Sequence, residues 1–87
     1  MGVGLSDGEA EFLASRIGLI LHSIVPEGAR YRNLESVLRK LRKSSVLEMS
    51  EGERAYLVLE LDGMRLEPGS DENALRLAVS RKLGNLE

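Results

Sequence analysis

Residues 5–13 (Leu-Ser-Asp-Gly-Glu-Ala-Glu-Phe-Leu) and residues 49–57 (Met-Ser-Glu-Gly-Glu-Arg-Ala-Tyr-Leu) carry the same signal twice. Each reads apolar, Ser, acid, Gly, Glu, two variable positions, aromatic, Leu. Ser6 and Ser50, Glu9 and Glu53, Phe12 and Tyr56, and Leu13 and Leu57 each lie 44 positions apart. A Ser followed three residues later by Glu, ahead of an apolar run, is the sequence form of a capping box. The hydroxyl accepts from the N3 amide, and the N3 carboxylate reaches back to the cap amide. Both stretches are therefore read as helix starts. Leu5 and Met49 stand where a hydrophobic staple to Ala10, and less well to Arg54, would begin.

Apolar spacing then divides the chain into four helices. The first is expected over residues 7–22 or 23, with Phe12, Leu13, Ile17, Ile20 and Leu21 on one face. Leu19 falls off that face and suggests a second contact surface. Pro26-Glu-Gly-Ala29 reads as a connector. The second helix is expected over residues 33–44, capped by Asn33, with Leu34, Val37, Leu38 and Leu41 at i, i+3, i+4 and i+7. The third is expected over residues 51–62, closed by Gly63. A competing reading makes residues 58–66 a β-hairpin turning at Asp62-Gly63, which would give an α+β domain. The fourth is expected over residues 71–83, capped by Ser70 and ended by Gly84.

Val37-x-Arg39-Lys40-Leu41 and Val79-x-Arg81-Lys82-Leu83 also echo each other, 42 positions apart. The fold expected is all-α: one small four-helix domain over residues 1–87, built as two helical hairpins with an internal repeat of 5–43 and 49–83. The first and third helices are expected to bury against each other. Residues 1–5 are expected to form a flexible lead-in to the Ser6 cap. Met1-Gly2 also fits the loose pattern for N-myristoylation, which that lead-in explains more simply.

Length limits the core. A chain of 87 residues has a thin stability margin without staples, and this one has no Cys and a single His. Homodimerisation is the common remedy and is expected here. No apolar run is long enough for a membrane span, and a cytoplasmic location with no membrane association is expected. Catalysis finds little support. His22 is alone near a helix C-terminus. The acid pairs Glu9/Glu11 and Glu51/Glu53 are two apart on a helix and do not face each other. No metal, cofactor or catalytic residue is expected, and the protein is read as a non-enzyme.

The strongest charge feature is residues 30–43, with six bases against Glu35 in a chain of net charge −2. Arg30, Tyr31, Arg32, Arg39, Lys40, Arg42 and Lys43 are the candidate contact residues. Two uses suit them. A small protein-interaction module (an adaptor, assembly factor or inhibitor) would present this helix to a protein partner. A nucleic-acid-binding accessory protein would use the same bases on phosphates. Against both stands a plainer reading, a solvated face whose bases pair with the acidic helix starts. Tyr56 is expected in the core like Phe12, and Tyr31 at an interface.

Overall fold

A computed structural model of the chain describes residues 2–44 and 46–84. The order is β1 (Gly2–Gly4), α1 (Asp7–Ser23), α2 (Ala29–Leu41), β2 (Val46–Glu48), α3 (Glu51–Gly63) and α4 (Asp71–Lys82). The molecule is mainly helical, with four helices and one two-stranded antiparallel ribbon.

Both capping boxes form. Ser6 Oγ accepts from the Glu9 amide at 3.2 Å, and the Ser6 amide donates to Glu9 Oε1 at 2.8 Å. Ser50 and Glu53 repeat this at 3.2 and 2.9 Å. Ser70 caps α4 by accepting from the Asn73 amide at 3.1 Å. Each such cap is worth roughly 1 kcal/mol of helix stability.

The ribbon is the element that the sequence reading lacked. Residues 2–4 are a strand, not a flexible lead-in. Gly2 faces Glu48, Val3 faces Leu47 and Gly4 faces Val46. Val3 and Leu47 turn inward while their neighbours are exposed. A two-stranded ribbon is marginal alone. Here its inner residues join the helical core.

Four helix boundaries differ from expectation, one of them the end of α2, which stops at Leu41 and not at residue 44. α2 begins four residues early, because Gly28 (φ 93°) takes the left-handed turn that ends the connector. Asn33 is not its cap but lies inside the helix, donating to the Ala29 carbonyl at 2.7 Å. α3 runs through Gly63, and residues 64–67 carry no regular secondary structure, so the hairpin at Asp62-Gly63 does not form. α4 ends at Lys82, and Gly84 (φ 78°) follows with its amide on the Arg81 carbonyl.

Each half of the chain thus reads β-α-α. The register makes the relation between the halves explicit. Val3 and Leu47 are equivalent by the 44-residue offset, and they face each other across the ribbon. Antiparallel pairing places a local twofold axis at that pair. It brings the first helix of each half onto the second helix of the other half. The four helices form a ring: α1 packs on α2 and α4, and α3 packs on the same two. The expected burial of α1 against α3 is replaced by this exchange, which strand pairing across the axis imposes.

The core is one cluster to which the ribbon and all four helices contribute. Leu13, Ile17, Leu34, Val37, Leu47, Leu57, Leu61 and Val79 have no exposed surface. Burying each is worth about 1.5–3 kcal/mol relative to leaving it in water. All four apolar positions read in α2 are buried, whereas Ile20 and Leu21 of α1 are half-buried. Tyr56 is also half-buried, so it does not share the full burial of its counterpart Phe12.

Candidate interaction surface

Half of the six bases of residues 30–43 are paired with carboxylates. α2 spaces its bases around the helix, and several meet carboxylates. Arg30 grips Glu60 of α3 in a forked pair, with Nε on Oε1 at 2.6 Å and Nη2 on Oε2 at 3.0 Å. Arg39 pairs with Glu35 one turn earlier at 2.7 Å. Lys40 reaches Glu53 at 2.8 Å and also donates to the Glu48 carbonyl at 2.7 Å. Arg32, Arg42 and Lys43 are exposed and make no ion pair among the described residues. Tyr31 is half-buried, and His22 is exposed.

Lys40 belongs to a reciprocal device. Glu53 closes the capping box of α3 in the second half and takes Lys40 from the first half. Glu9 closes the capping box of α1 in the first half and takes Lys82 from the second, at 2.5 Å. Lys40 and Lys82 occupy equivalent places, 42 positions apart. Burial alone would push both carboxyls up. For Glu53 the Lys40 ammonium, the Ser36 hydroxyl and the Ser50 amide and hydroxyl outweigh burial and hold it down at about 2. Glu9 is also held below its ordinary value, by Lys82 and by Ser6. Both carboxylates are therefore charged and buried, each held by its cap residue and by a lysine of the other half.

A second set of ion pairs crosses between the halves. Arg16 of α1 meets Glu72 of α4 at 2.5 Å. Glu60 of α3 meets Arg30 of α2. Position 60 is the equivalent of 16, and position 72 of 30. The contact is repeated with its polarity reversed.

One concave feature lies beside Arg16, and a larger one lies at the start of α3 beside Met49, Glu51 and Arg54. A groove of about 480 Å³ runs between α1 and α4. Gly8, Phe12, Ser15 and Leu19 line it from α1 at i, i+4, i+7 and i+11, one continuous stripe of the helix. Leu75 faces them from α4, and Glu11, Arg16 and Glu72 supply the charges. Phe12 is 7% exposed and forms the floor, while Leu19 is 60% exposed. The Arg16 guanidinium sits 5.9 Å from the Phe12 ring centroid, within reach of a cation–π contact. Glu11 makes no ion pair among the described residues.

The equivalent stripe of α3 is Gly52, Tyr56, Leu59 and Gly63, facing Asn33 of α2. Asn33 Oδ1 would stand 3.3 Å from a Cβ at Gly52, so the polar side chain occupies the place that Leu75 lines in the other half. None of the groove residues was among the candidates drawn from the sequence. The one sequence signal was Leu19, lying off the buried face of its helix. Among the described residues no group of His, Cys, Asp or Glu is arranged to hold a metal ion. No described helix is long and apolar enough to cross a membrane. Comparison with known proteins gives no match to the chain among family models, curated proteins or solved structures.

Proposed function

We propose that the protein is a non-enzymatic protein-interaction module that takes an amphipathic helix of a partner into the α1–α4 groove. The observation that carries this is the Leu19 side chain, 60% exposed at the mouth of a groove floored by Phe12 and Leu75. An exposed apolar stripe of one helix, flanked by a second, is what a helix-in-groove partner needs. Such a partner supplies anchors at i, i+4 and i+7. The groove's charges, two carboxylates against one guanidinium, favour a partner helix with a Lys or Arg beside its anchors.

Adaptor, assembly factor and inhibitor remain equivalent descriptions of such a module. The test is selection of displayed amphipathic helical peptides against the folded chain. Selected binders carry apolar anchors at helical spacing and a basic neighbour. Leu19→Lys weakens them by at least about tenfold. Leu59→Lys, at a site 65% exposed on α3, leaves them unchanged. Binders indifferent to Leu19→Lys overturn the assignment of the groove.

A second reading rests on Arg32, Arg42 and Lys43, the bases of residues 30–43 that make no ion pair among the described residues. Arg42 and Lys43 follow α2 and precede β2, whose ribbon has the dimensions that a DNA major groove admits. The ribbon's outward residues weaken it. Gly2, Gly4 and Val46 offer no side-chain donor to a base edge, and Glu48 is negative. Oligonucleotide anisotropy across a salt series separates the readings. Steeply salt-dependent binding, lost in Arg42→Glu with Lys43→Glu, would put nucleic acid first.

A further inference from the structure

We infer that the face each half turns towards the other is charge-coded: it accepts the opposite half and rejects a second copy of itself. The molecule has the geometry of a dimer of β-α-α units joined head to tail, with its axis through Val3 and Leu47. Each half then has two formal partners, the other half or the same half from another chain. The ion pairs across the axis distinguish them.

The Glu9–Lys82 and Glu53–Lys40 pairs do not discriminate. Each half carries both the acid and the base of this contact, so a like-with-like pairing would rebuild it. The Arg16–Glu72 and Glu60–Arg30 pairs do discriminate. The first half carries Arg at both positions of this contact, 16 and 30. The second half carries Glu at both, 60 and 72. Two first halves would set Arg16 against Arg30 twice. Two second halves would set Glu60 against Glu72 twice. Only the mixed pairing satisfies all four positions. Building a clash into the wrong pairing, as well as contacts into the right one, is how an interface discriminates between near-identical partners.

The reversal is not forced by the fold. The same contact made with one polarity throughout would serve the intramolecular pairing equally well. It would also leave each half able to take its own copy from a neighbouring chain. This matters during folding, when a chain whose halves have not yet met presents both faces to other chains.

Four full-length variants test this code. Arg16→Glu with Glu72→Arg keeps the pair but exchanges its polarity, so each half becomes self-complementary. Arg30→Glu with Glu60→Arg does the same at the other pair. The combination of all four substitutions restores a mixed code with its sign inverted. Each protein is refolded from denaturant at high chain concentration and analysed by sedimentation velocity. Both double variants are expected to show dimer raised by about tenfold over wild type. Removal of two like-charge contacts per like-with-like pair gives this size of change. The quadruple variant is expected to return to the wild-type distribution. Circular dichroism of each variant identifies any that fails to fold, and either double variant with the quadruple suffices. Double variants that associate no more than wild type overturn the inference. So does a quadruple variant that associates as strongly as they do.

Discussion

The two halves share a backbone plan and differ in what they do with it. Their common positions are those that fold the chain: the capping boxes at Ser6 and Ser50, the buried pairs Leu13/Leu57, Val37/Val79 and Leu41/Leu83, and the lysines that seal the caps. Their differences lie elsewhere. The first half packs Leu34 and Leu38 where the second has Arg76 and Ser80. Arg76 donates to Asn73 Oδ1 and to the Leu61 carbonyl, serving the end of α3 instead of filling the core. Arg54, at the place of Ala10, does the same for α4 by donating to the Leu83 carbonyl. The second half thus uses guanidinium groups to cap helix ends, while the first relies on apolar contact. The open groove belongs to α1 and α4 alone. Where the halves agree the reason is stability, and where they diverge there is room for function.

The most severe test of the equivalence is the core. Leu13 and Leu57 are both fully buried at matched positions. Leu13→Ala and Leu57→Ala are each expected to cost about 2–5 kcal/mol in denaturant unfolding, from lost burial and the cavity left behind. Similar costs for the two would support an axis that is energetically real. A mild cost at one site alone would show that one half supplies most of the core.

The sealed caps come next. Glu53→Gln is expected to cost about 1.5–3 kcal/mol, because it removes a charged acceptor from Lys40 in a buried site. Glu9→Gln should cost less, since Ser36, which also serves Glu53, is matched by Ala78 in the other half. The acid limb of the stability profile follows from the same groups. Both carboxyls are lower in the folded state than when unfolded, so the unfolded chain binds more protons between their folded and unfolded values. Stability from Glu53 is therefore complete above its ordinary value of 4.5 and lost as pH falls towards about 2. Glu9 adds to the loss in the same direction. Denaturant midpoints measured through this window should fall with pH. The fall should be shallower in Glu53→Gln than in Glu9→Gln. Equal slopes would mean that the two caps are energetically alike despite Ser36.

What was legible in the sequence was what is local. A capping box spans four residues, and the face of α2 spans eight, so both can be read without knowing the fold. The ribbon could not be read. Gly2-Val3-Gly4 has little strand propensity, and its pairing depends on a segment 44 positions away. The pairing of the charge run could not be read either. Along the chain, residues 30–43 look like an uncompensated basic block. In space, Lys40 meets Glu53 and Arg30 meets Glu60, carboxylates contributed by α3. The plainer reading, that these bases pair with acidic helix starts, holds for Lys40 and Glu53. The start of α2 was missed because Asn33 offered a better cap in sequence than Gly28, whose contribution is a backbone angle. The groove joins residues from α1 and α4, so no linear window contains it. Leu19 alone left a trace.

The smallest effect bears on the sharpest difference between the halves. Ser80 is 1% exposed, and its hydroxyl has no hydrogen-bond partner among the described residues. At the equivalent place the first half has Leu38, 8% exposed. A buried hydroxyl without a partner loses its hydration and gains nothing in return. Ser80→Ala removes that loss and places a better helix former in α4. It is expected to raise stability by about 1 kcal/mol, read as a higher denaturant midpoint with unchanged slope. Ser80→Leu, which copies the first half, asks whether the space around this position is also copied. Arg76 stands where Leu34 would be its neighbour one turn away, and Ser80 is already almost fully enclosed. Leu at 80 is therefore expected to fall below Ala by about 1–3 kcal/mol through overpacking. If Leu proves as stable as Ala, the second half retains a Leu38-sized space beside Ser80, and the asymmetry at this position is one of side chains alone.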